Sequence, residues 1–178
     1  MRILREVGIT VLVAIAIFVL LRINIQGYTV QYSSMLPTFA EGEWVMVNKA
    51  KYFFSDPERG DVIVFSPPMA SDHPFIKRVI GLPGDSMEVR DGEVLVNGTP
   101  LQEDYIMAAP NYNMAAEDIP EGQYFVLGDN RNSSNDSHNG WTVGRESIVG
   151  IAWFVYWPPA KWHIVQHFAY PELSVAAG

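Results

Sequence analysis

The hydrophobic pattern divides the chain into one long apolar segment and a series of short ones. Residues 7–21 carry no charge, and beyond Arg22 the apolar character continues to residue 25. As a helix, residues 7–25 would span roughly 28 Å, close to the ~30 Å hydrocarbon core of a bilayer. The segment is apolar on all sides and lacks a clean small-x-small cleavage site at its exit. We therefore predict an uncleaved transmembrane anchor over residues 7–26, rather than a cleaved signal peptide or a buried core helix.

Charges flanking the anchor predict its orientation. Arg2 and Arg5 precede it, so the positive-inside rule favours a short cytoplasmic N-terminus over residues 1–6. Arg22 is a weaker signal in the opposite direction, and its long side chain can snorkel to the interface. A single span of the cytoplasmic membrane then places residues 27–178 on the extracytoplasmic face.

The sequence after the anchor is typical of β-strands. Four segments bounded by Gly, Pro or Asp are rich in β-branched and aromatic residues: 43–47, 61–65, 124–127 and 148–157. A hairpin is indicated at Asp91-Gly92, between the alternating segments 86–90 and 93–97. Residues 67–74 and 108–120 have the composition of surface loops. The predicted fold class is mainly β, an antiparallel barrel-like or folded sheet preceded by one transmembrane helix.

Several aromatic residues have two interpretations at this stage. Core or hairpin packing is one explanation, and a position at the membrane interface, where an apolar ring with a polar tip is favoured, is the other. The residues concerned are Trp141, Trp153, Trp157 and Trp162, together with Phe53-Phe54.

Composition excludes some classes of function. The net charge is −8, and the chain after residue 30 carries nine basic and nineteen acidic residues. A domain this acidic is a poor nucleic-acid binder, because phosphate contacts need clustered Lys and Arg. The absence of cysteine excludes disulfides, thiolate metal sites and a cysteine nucleophile.

A serine and a lysine are candidates for covalent chemistry. Ser34 precedes a rigid Leu36-Pro37-Thr38 corner, which suits a nucleophile but also makes ordinary turns. Lys77 lies in the apolar segment 75–80, where it either snorkels to solvent or is buried. Burial would lower the pKa of its amine, and a neutral lysine can take a proton from a serine hydroxyl. Ser–Lys pairs are an established variant of the serine-nucleophile design.

The polar loop 128–137 is a candidate metal site by composition. Its Asp and Asn residues offer oxygen ligands, but their spacing misses the calcium-loop pattern. The four histidines, at positions 73, 138, 163 and 167, lack a zinc arrangement. We therefore expect no metal and no cofactor.

Five motifs in a fixed order resemble the bacterial type I signal peptidase (leader peptidase) family. The motifs after the anchor are Ser34-Met-Leu-Pro-Thr and residues 59–65, 76–85, 96–98 and 128–137. The resemblance covers nearly the whole chain, from the anchor to the Trp-Pro-Pro at 157–159. It implies a membrane-bound serine endopeptidase that removes N-terminal signal peptides from secretory preproteins after small residues, in an Ala-x-Ala-like pattern.

The resemblance also implies roles for individual residues. Ser34 would be the nucleophile and Lys77 the general base, with Ser134 matching the serine whose hydroxyl orients the lysine. The apolar walls that reject large substrate side chains would come from Val30, Met35, Phe75 and Ile76. Structural ion-pair positions are matched by Arg78, Asp129 and Asp136.

The sequence departs from the family pattern just before Ser34 and just after the 128–137 loop. Members often supply an oxyanion donor from a serine two positions before the nucleophile, where this chain has Tyr32, with Ser33 next. His138 stands where an arginine is usual, so an ion pair of Asp136 would depend on pH or vanish. These departures leave two alternatives open: a related Ser/Lys peptidase with another substrate, and a catalytically degenerate, membrane-tethered β-domain that binds a partner.

Overall fold

The computed structural model describes residues 2–175. Helix α1 covers Arg2–Asn24, and its part Arg5–Asn24 is long and apolar enough to cross a membrane, with none of its most apolar window buried inside the protein. The helix ends two residues before the boundary predicted for the anchor. Ile25 and Gln26 instead begin the first strand, because their backbone pairs with the next strand of the sheet.

Twelve strands follow in the described part of the chain, and the remaining helices there are short. The strands are β1 (Ile25–Thr29), β2 (Trp44–Asn48), β3 (Val62–Phe65), β4 (Phe75–Gly81), β5 (Ser86–Arg90), β6 (Glu93–Val96), β7 (Thr99–Pro100), β8 (Met114–Asp118), β9 (Gln123–Leu127), β10 (Val143–Gly144), β11 (Ile148–Trp157) and β12 (His163–Ile164). The helices are α2 (Lys51–Phe54), α3 (Pro171–Val175) and the 3-10 turns Ser137–Asn139, Arg145–Ser147 and Pro159–Lys161.

The strands form two antiparallel sheets, which confirms the predicted fold class. The larger sheet is a curled half-barrel with the order β1-β2-β11-β3-β4-β9-β10, and β12 pairs with β11. The smaller has the order β7-β6-β5-β8. The hairpin predicted at Asp91-Gly92 joins β5 to β6, and both turn residues have positive φ (54° and 83°), as a type I′ turn requires.

One predicted loop is partly a strand. Residues 114–118 were assigned to the surface loop 108–120, but they form β8, which pairs with β5. Four of the five side chains of β8 are exposed, so the segment lacks the apolar face by which strands are recognised in sequence. Pairing along the edge of a small sheet, rather than burial, makes it a strand.

Strand β4 lies inside the larger sheet and positions the site. It pairs with β3 along Phe75–Arg78 and with β9 from Arg78 onward. Five of its seven residues are buried, including Lys77. Lys77 is only slightly exposed, so its side chain lies in the interior of the domain rather than in bulk water.

Candidate active site

Ser34 lies in a tight turn that the core holds from below. Within the turn, Leu36 N–H donates to Ser33 O (3.1 Å) and Phe39 N–H donates to Met35 O (2.9 Å). Met35 and Phe39 are both fully buried in a cluster with Val30. The two buried side chains fix the turn, so the serine between Val30 and Phe39 is presented in one orientation.

Asn130 fixes the backbone of Ser34 from the opposite side. Its N–H donates to Ser34 O (3.0 Å) and its Nδ2 donates to Ser33 O (3.1 Å). Among residues 2–175, the N–H of Ser34 has no hydrogen-bond partner, so it is free to donate to a bound group. From sequence, Asn130 is considered only among the oxygen ligands of the 128–137 loop, although its place in the Gly-Asp-Asn-Arg motif is a signal for a role beside Ser34.

Lys77 reaches Ser34 from the centre of the sheet. Its Nζ lies 2.6 Å from Ser34 Oγ and donates to Ile76 O at 3.0 Å. The residue is 4% exposed. Burial lowers the pKa of Lys77 to about 8, and the carboxylates of Asp136 and Asp129 partly oppose this shift. An amine with this pKa is roughly one-tenth neutral at pH 7, a far larger neutral fraction than a solvated lysine has.

Ser134 lies close to Ser34 but forms no hydrogen bond with Lys77. Its Oγ is buried and is one of three buried side-chain polar atoms in the described chain without a hydrogen-bond partner. Gly128 gives it room: a Cβ at Gly128 would clash with Ser134 Oγ and with Ser34 O. The orienting role of Ser134 therefore stays a prediction.

Arg78 and Asp129 form a buried ion pair behind the site. Arg78 Nε and NH2 donate to the two oxygens of Asp129 at 2.9 and 2.8 Å, and both side chains are almost fully buried. Asp129 also accepts a hydrogen bond from the hydroxyl of Thr38, in the turn that carries Ser34. The Arg78–Asp129 pair thus connects strand β4, the 128–137 loop and the turn that carries Ser34.

Asp136 pairs with a histidine. Its Oδ1 lies 2.6 Å from His138 Nδ1, its Oδ2 accepts from Gly128 N–H at 2.8 Å, and it is fully buried. The His138 ring stacks on Tyr112, with the ring centroids 4.2 Å apart and the planes 21° from parallel. The contact predicted to depend on pH is therefore formed, with an imidazole in place of the usual guanidinium.

Ser34 and Lys77 open onto a cavity of about 690 Å³. One side is formed by β1 and the segment after it, including Val30, and the other by Phe75 and Ile76 of β4. Three of the four predicted wall residues therefore line the cavity. The fourth does not: Met35 is fully buried in the cluster that contains Val30, because its side chain anchors the turn that carries Ser34.

Tyr32 does not offer its hydroxyl to the site in the way that a short serine side chain would. The residue lines the outer cavity, but it is 68% exposed and has a positive φ of 69°. Positive φ is uncommon for a bulky residue and marks a locally strained backbone. The strain occurs two residues before Ser34, where the chain must leave β1 and enter the tight turn.

Comparison with known proteins identifies the family. The family model described as "Signal peptidase, peptidase S26" matches residues 3–157. The chain is 41% identical to "Probable signal peptidase I-1" of Synechocystis over 89% of its length and 85% of that protein. It is 32% identical to "Signal peptidase I T" of Bacillus subtilis over 86% and 85% of the two chains.

A plastid relative is also similar. The chain is 40% identical to "Thylakoidal processing peptidase 1, chloroplastic" of Arabidopsis thaliana over 82% of its length, but this covers only 45% of that protein. The bacterial relatives, in contrast, match over most of both chains. On the combined evidence of the family model and these full-length matches, the chain belongs to the signal peptidase I (peptidase S26) family, the serine endopeptidases that remove signal peptides from preproteins.

Proposed function

We propose that Ser34 is the nucleophile and Lys77 the general base of this signal peptidase, acting on secretory preproteins at the surface of the cytoplasmic membrane. The observation that carries the proposal is the 2.6 Å distance between Lys77 Nζ and Ser34 Oγ, at a point where both residues are buried but open onto a cavity. Hydrogen-bond reach between nucleophile and base is the geometric requirement for this chemistry.

Acylation begins when Lys77 Nζ takes the proton of the Ser34 hydroxyl while Oγ attacks the scissile carbonyl carbon. The hydrogen bond from Nζ to Ile76 O occupies one N–H, and the lone pair of the neutral amine can accept the proton of Ser34 Oγ, which lies 2.6 Å away. The tetrahedral intermediate then collapses, the C–N bond breaks, and the Lys77 ammonium gives its proton to the leaving amine. The mature protein departs, and the signal peptide remains as an ester on Ser34.

Deacylation uses the same lysine a second time. Lys77, now neutral, removes a proton from a water molecule that attacks the ester carbonyl, and Ser34 leaves with that proton. In both steps the Ser34 N–H is available to stabilise the oxyanion. Asn130 directs this N–H towards the cavity, since its two hydrogen bonds hold the carbonyls of Ser33 and Ser34 on the other side.

The cavity favours an extended substrate with small side chains. β1 is the edge strand of the larger sheet, and β4 gains its pairing with β9 only from Arg78 onward. Peptide backbone groups therefore flank the cavity on both sides, which suits a preprotein segment that binds as an added strand. Val30, Phe75 and Ile76 narrow the space near Ser34 and restrict the substrate to small residues before the scissile bond.

We propose that helices α1 and α2 both contact the bilayer. Helix α1 anchors the chain with its N-terminus in the cytoplasm, and the β-domain lies on the extracytoplasmic face. Helix α2 starts close to the end of this anchor, since Lys49 N–H donates to Asn24 O at 2.8 Å. Two side chains of α2, Phe53 and Phe54, are 70% and 91% exposed, which suits insertion at the interface.

The tryptophans divide between the two explanations that the sequence left open. Trp141 packs against the core cluster around Phe65 and Val126. Trp153, Trp157 and Trp162 are exposed, together with the neighbouring Ile164. These exposed rings favour further contact of the β11–β12 surface with lipid headgroups.

Preprotein cleavage by the full-length protein in detergent tests the proposed dyad. We expect Ser34→Ala and Lys77→Met to abolish cleavage, and Ser71→Ala and Lys51→Met to retain it. Ser71 lines the same cavity away from the pair, and Lys51 is a partly exposed lysine whose bilayer contact plays no part in detergent. A covalent β-lactam-type inhibitor should add its mass to the wild type and to Lys51→Met, but not to Ser34→Ala. Full activity of Lys77→Met at neutral pH would eliminate the mechanism.

A comparison of vesicles with detergent tests the membrane contact. In reconstituted vesicles, the double variant Phe53→Ser/Phe54→Ser should cleave a membrane-inserted preprotein more slowly than wild type, while both proteins perform equally in detergent. Met107→Ser is the matched control, because Met107 is similarly exposed but lies beside the Asp129 loop rather than near α1. Equal rates for all three proteins in vesicles would remove α2 from the proposed interface.

A further inference from the structure

The contact between Asp136 and His138 affects the electrostatic surroundings of Lys77, the proposed general base. Asp136 lies one hydrogen bond from Gly128, and Gly128 packs against the carbonyl of Ser34. The β4–β9 register sets Leu127, the residue before Gly128, opposite Arg78, the residue after Lys77. The Asp136 carboxylate is therefore beside the site, and its negative charge favours the protonated form of Lys77.

The charge of Asp136 is compensated by few groups. Two backbone N–H groups donate to it, from Gly128 and from His138 itself (3.3 Å), and the third donor is the His138 ring. No Lys or Arg in the described chain forms an ion pair with it. The ring is held in place by Tyr112, so the donor cannot swing away without breaking the stack. Among these contacts, the His138 ring is the one side-chain group, so its replacement would change how far the negative charge of Asp136 is compensated.

We propose that His138 is a positioning residue for Lys77: its Nδ1–H donates to Asp136, partly compensates the carboxylate charge, and so sets how readily Lys77 gives up its proton. The inference rests on the proposed role of Lys77 as the general base. Within the described chain, His138 does not line the cavity and forms no hydrogen bond with Ser34, so we expect its effect on the reaction to pass through Asp136.

The charged surroundings are compatible with this coupling. Lys77 experiences the carboxylates of Asp136 and Asp129, and Asp129 is already neutralised by its bidentate pair with Arg78. On the far side of the His138 ring, Tyr112 is neutral, because burial and the Asp136 charge raise the pKa of its hydroxyl. The buried pair Arg131–Glu103 acts electrostatically on Tyr112 from behind and is internally balanced. Of the two carboxylates that act on Lys77, Asp136 is thus the one whose charge compensation depends on His138.

Two substitutions of opposite sign test the proposal. His138→Phe keeps an aromatic ring for the stack on Tyr112 but removes the donor, so the uncompensated Asp136 should hold the Lys77 proton more tightly. His138→Arg supplies a permanent positive charge and should release it more easily. His163→Phe is the control, because His163 is an exposed histidine whose Nδ1 hydrogen-bonds to the carbonyl of Lys161, and its ring contact with Phe39 is one that a phenylalanine retains.

The protonation of Lys77 is measured directly, independently of catalysis. The chain has only four lysines, so full-length protein labelled with ¹³Cε-lysine gives few NMR signals, and Lys77→Met assigns the one required. We expect the Lys77 titration midpoint to rise by about half a pH unit in His138→Phe and to fall by a similar amount in His138→Arg, roughly a threefold change in the neutral fraction at pH 7. The acid limb of kcat/KM should move by the same amounts.

The outcomes separate the inference from the function on which it rests. A moved midpoint with a matching acid limb supports both. A moved midpoint with an unmoved acid limb supports the coupling and overturns Lys77 as the base. An unmoved midpoint in both variants, with activity lowered or not, means that His138 only packs the loop, and the inference is overturned. If His138→Phe does not fold, the His138→Arg midpoint decides alone.

Discussion

Lys77 Nζ lies 2.6 Å from Ser34 Oγ, although the two residues are 43 positions apart in the sequence. The distance is set by two independent devices. Strand β4 holds the lysine in the interior of the sheet, and the buried side chains of Met35 and Phe39 hold the serine turn above it. The 128–137 loop then locks the turn to the strand, through Asn130 and the Arg78–Asp129 pair.

The activity should depend on pH through Lys77. The base must be neutral, and with a pKa of about 8, roughly one-tenth of it is neutral at pH 7. We therefore expect kcat/KM to rise about tenfold for each pH unit well below 8 and to level off above it. The measurement is kcat/KM from pH 6 to 10 in detergent, with a peptide substrate lacking titratable groups near the scissile bond. A level profile between pH 6 and 8 would contradict a lysine base.

The same burial should make Lys77 a source of instability. Its pKa falls from 10.5 in the unfolded chain to about 8 in the folded one. Between these values the unfolded state binds the proton and the folded state does not, so stability rises with pH through this window. Below pH 8 the cost is fully present, and the shift corresponds to about 3 kcal/mol. Lys77→Met, similar in shape and uncharged, should therefore raise the melting temperature at pH 7.

The pH dependence of that gain is its control. Above pH 10.5 the wild-type lysine is mostly neutral in both states, so the melting temperatures of wild type and Lys77→Met should converge as the pH approaches and passes this value. Thermal unfolding of the full-length protein in detergent, followed by tryptophan fluorescence, measures both conditions. A stabilisation that stayed constant from pH 7 to pH 10 would instead indicate better packing of the methionine.

The sheet could be predicted from sequence, and the proposed dyad could be singled out from it, for physical reasons. Strands such as 148–157 are rich in β-branched and aromatic residues, and Asp91-Gly92 permits the positive φ values of a tight hairpin. Ser34 and Lys77 were found because few residue types serve as nucleophile and base, and because the surrounding motifs resemble a known family. Their contact, in contrast, depends on long-range packing that no local pattern encodes.

The missed features share that dependence on tertiary context. β8 is a strand because β5 pairs with it, although its own residues Met114–Asp118 are mostly exposed. Met35 is apolar, as a cavity wall requires, but the turn directs its side chain into the core. The stack of His138 on Tyr112 joins two segments that lie 26 positions apart and carry no common motif. Sequence patterns therefore predict which chemistry is available more readily than which side chains meet.

The Arg78–Asp129 pair should be a large contributor to stability when one partner is removed. Asp129→Asn keeps the shape of the side chain but leaves the buried Arg78 guanidinium without a counter-charge, which costs about 3–5 kcal/mol. We expect the melting temperature to fall by roughly 6–20 °C, since 1 kcal/mol corresponds to about 2–4 °C at this chain length. Glu88→Gln is the matched control: it breaks the more exposed pair Arg90–Glu88 and should change stability by less than about 1 kcal/mol. Similar melting temperatures for the two variants would be inconsistent with the buried pair as described.

Gly128 should be required for activity more than for folding. A Cβ at this position would meet the carbonyl of Ser34 and the side chain of Ser134, so the nucleophile turn must move to admit it. A displacement of about 1 Å at a reacting group can lower the rate about 100-fold, and we expect a loss of this order in kcat/KM for Gly128→Ala. Gly144→Ala is the control, because its Cβ would meet only the carboxylate of exposed Glu146, which can turn away. Both variants should remain folded by tryptophan fluorescence, and only Gly128→Ala should lose activity. Equal activity of the two variants would show that the turn tolerates the extra methyl group and that Gly128 does not set the position of Ser34.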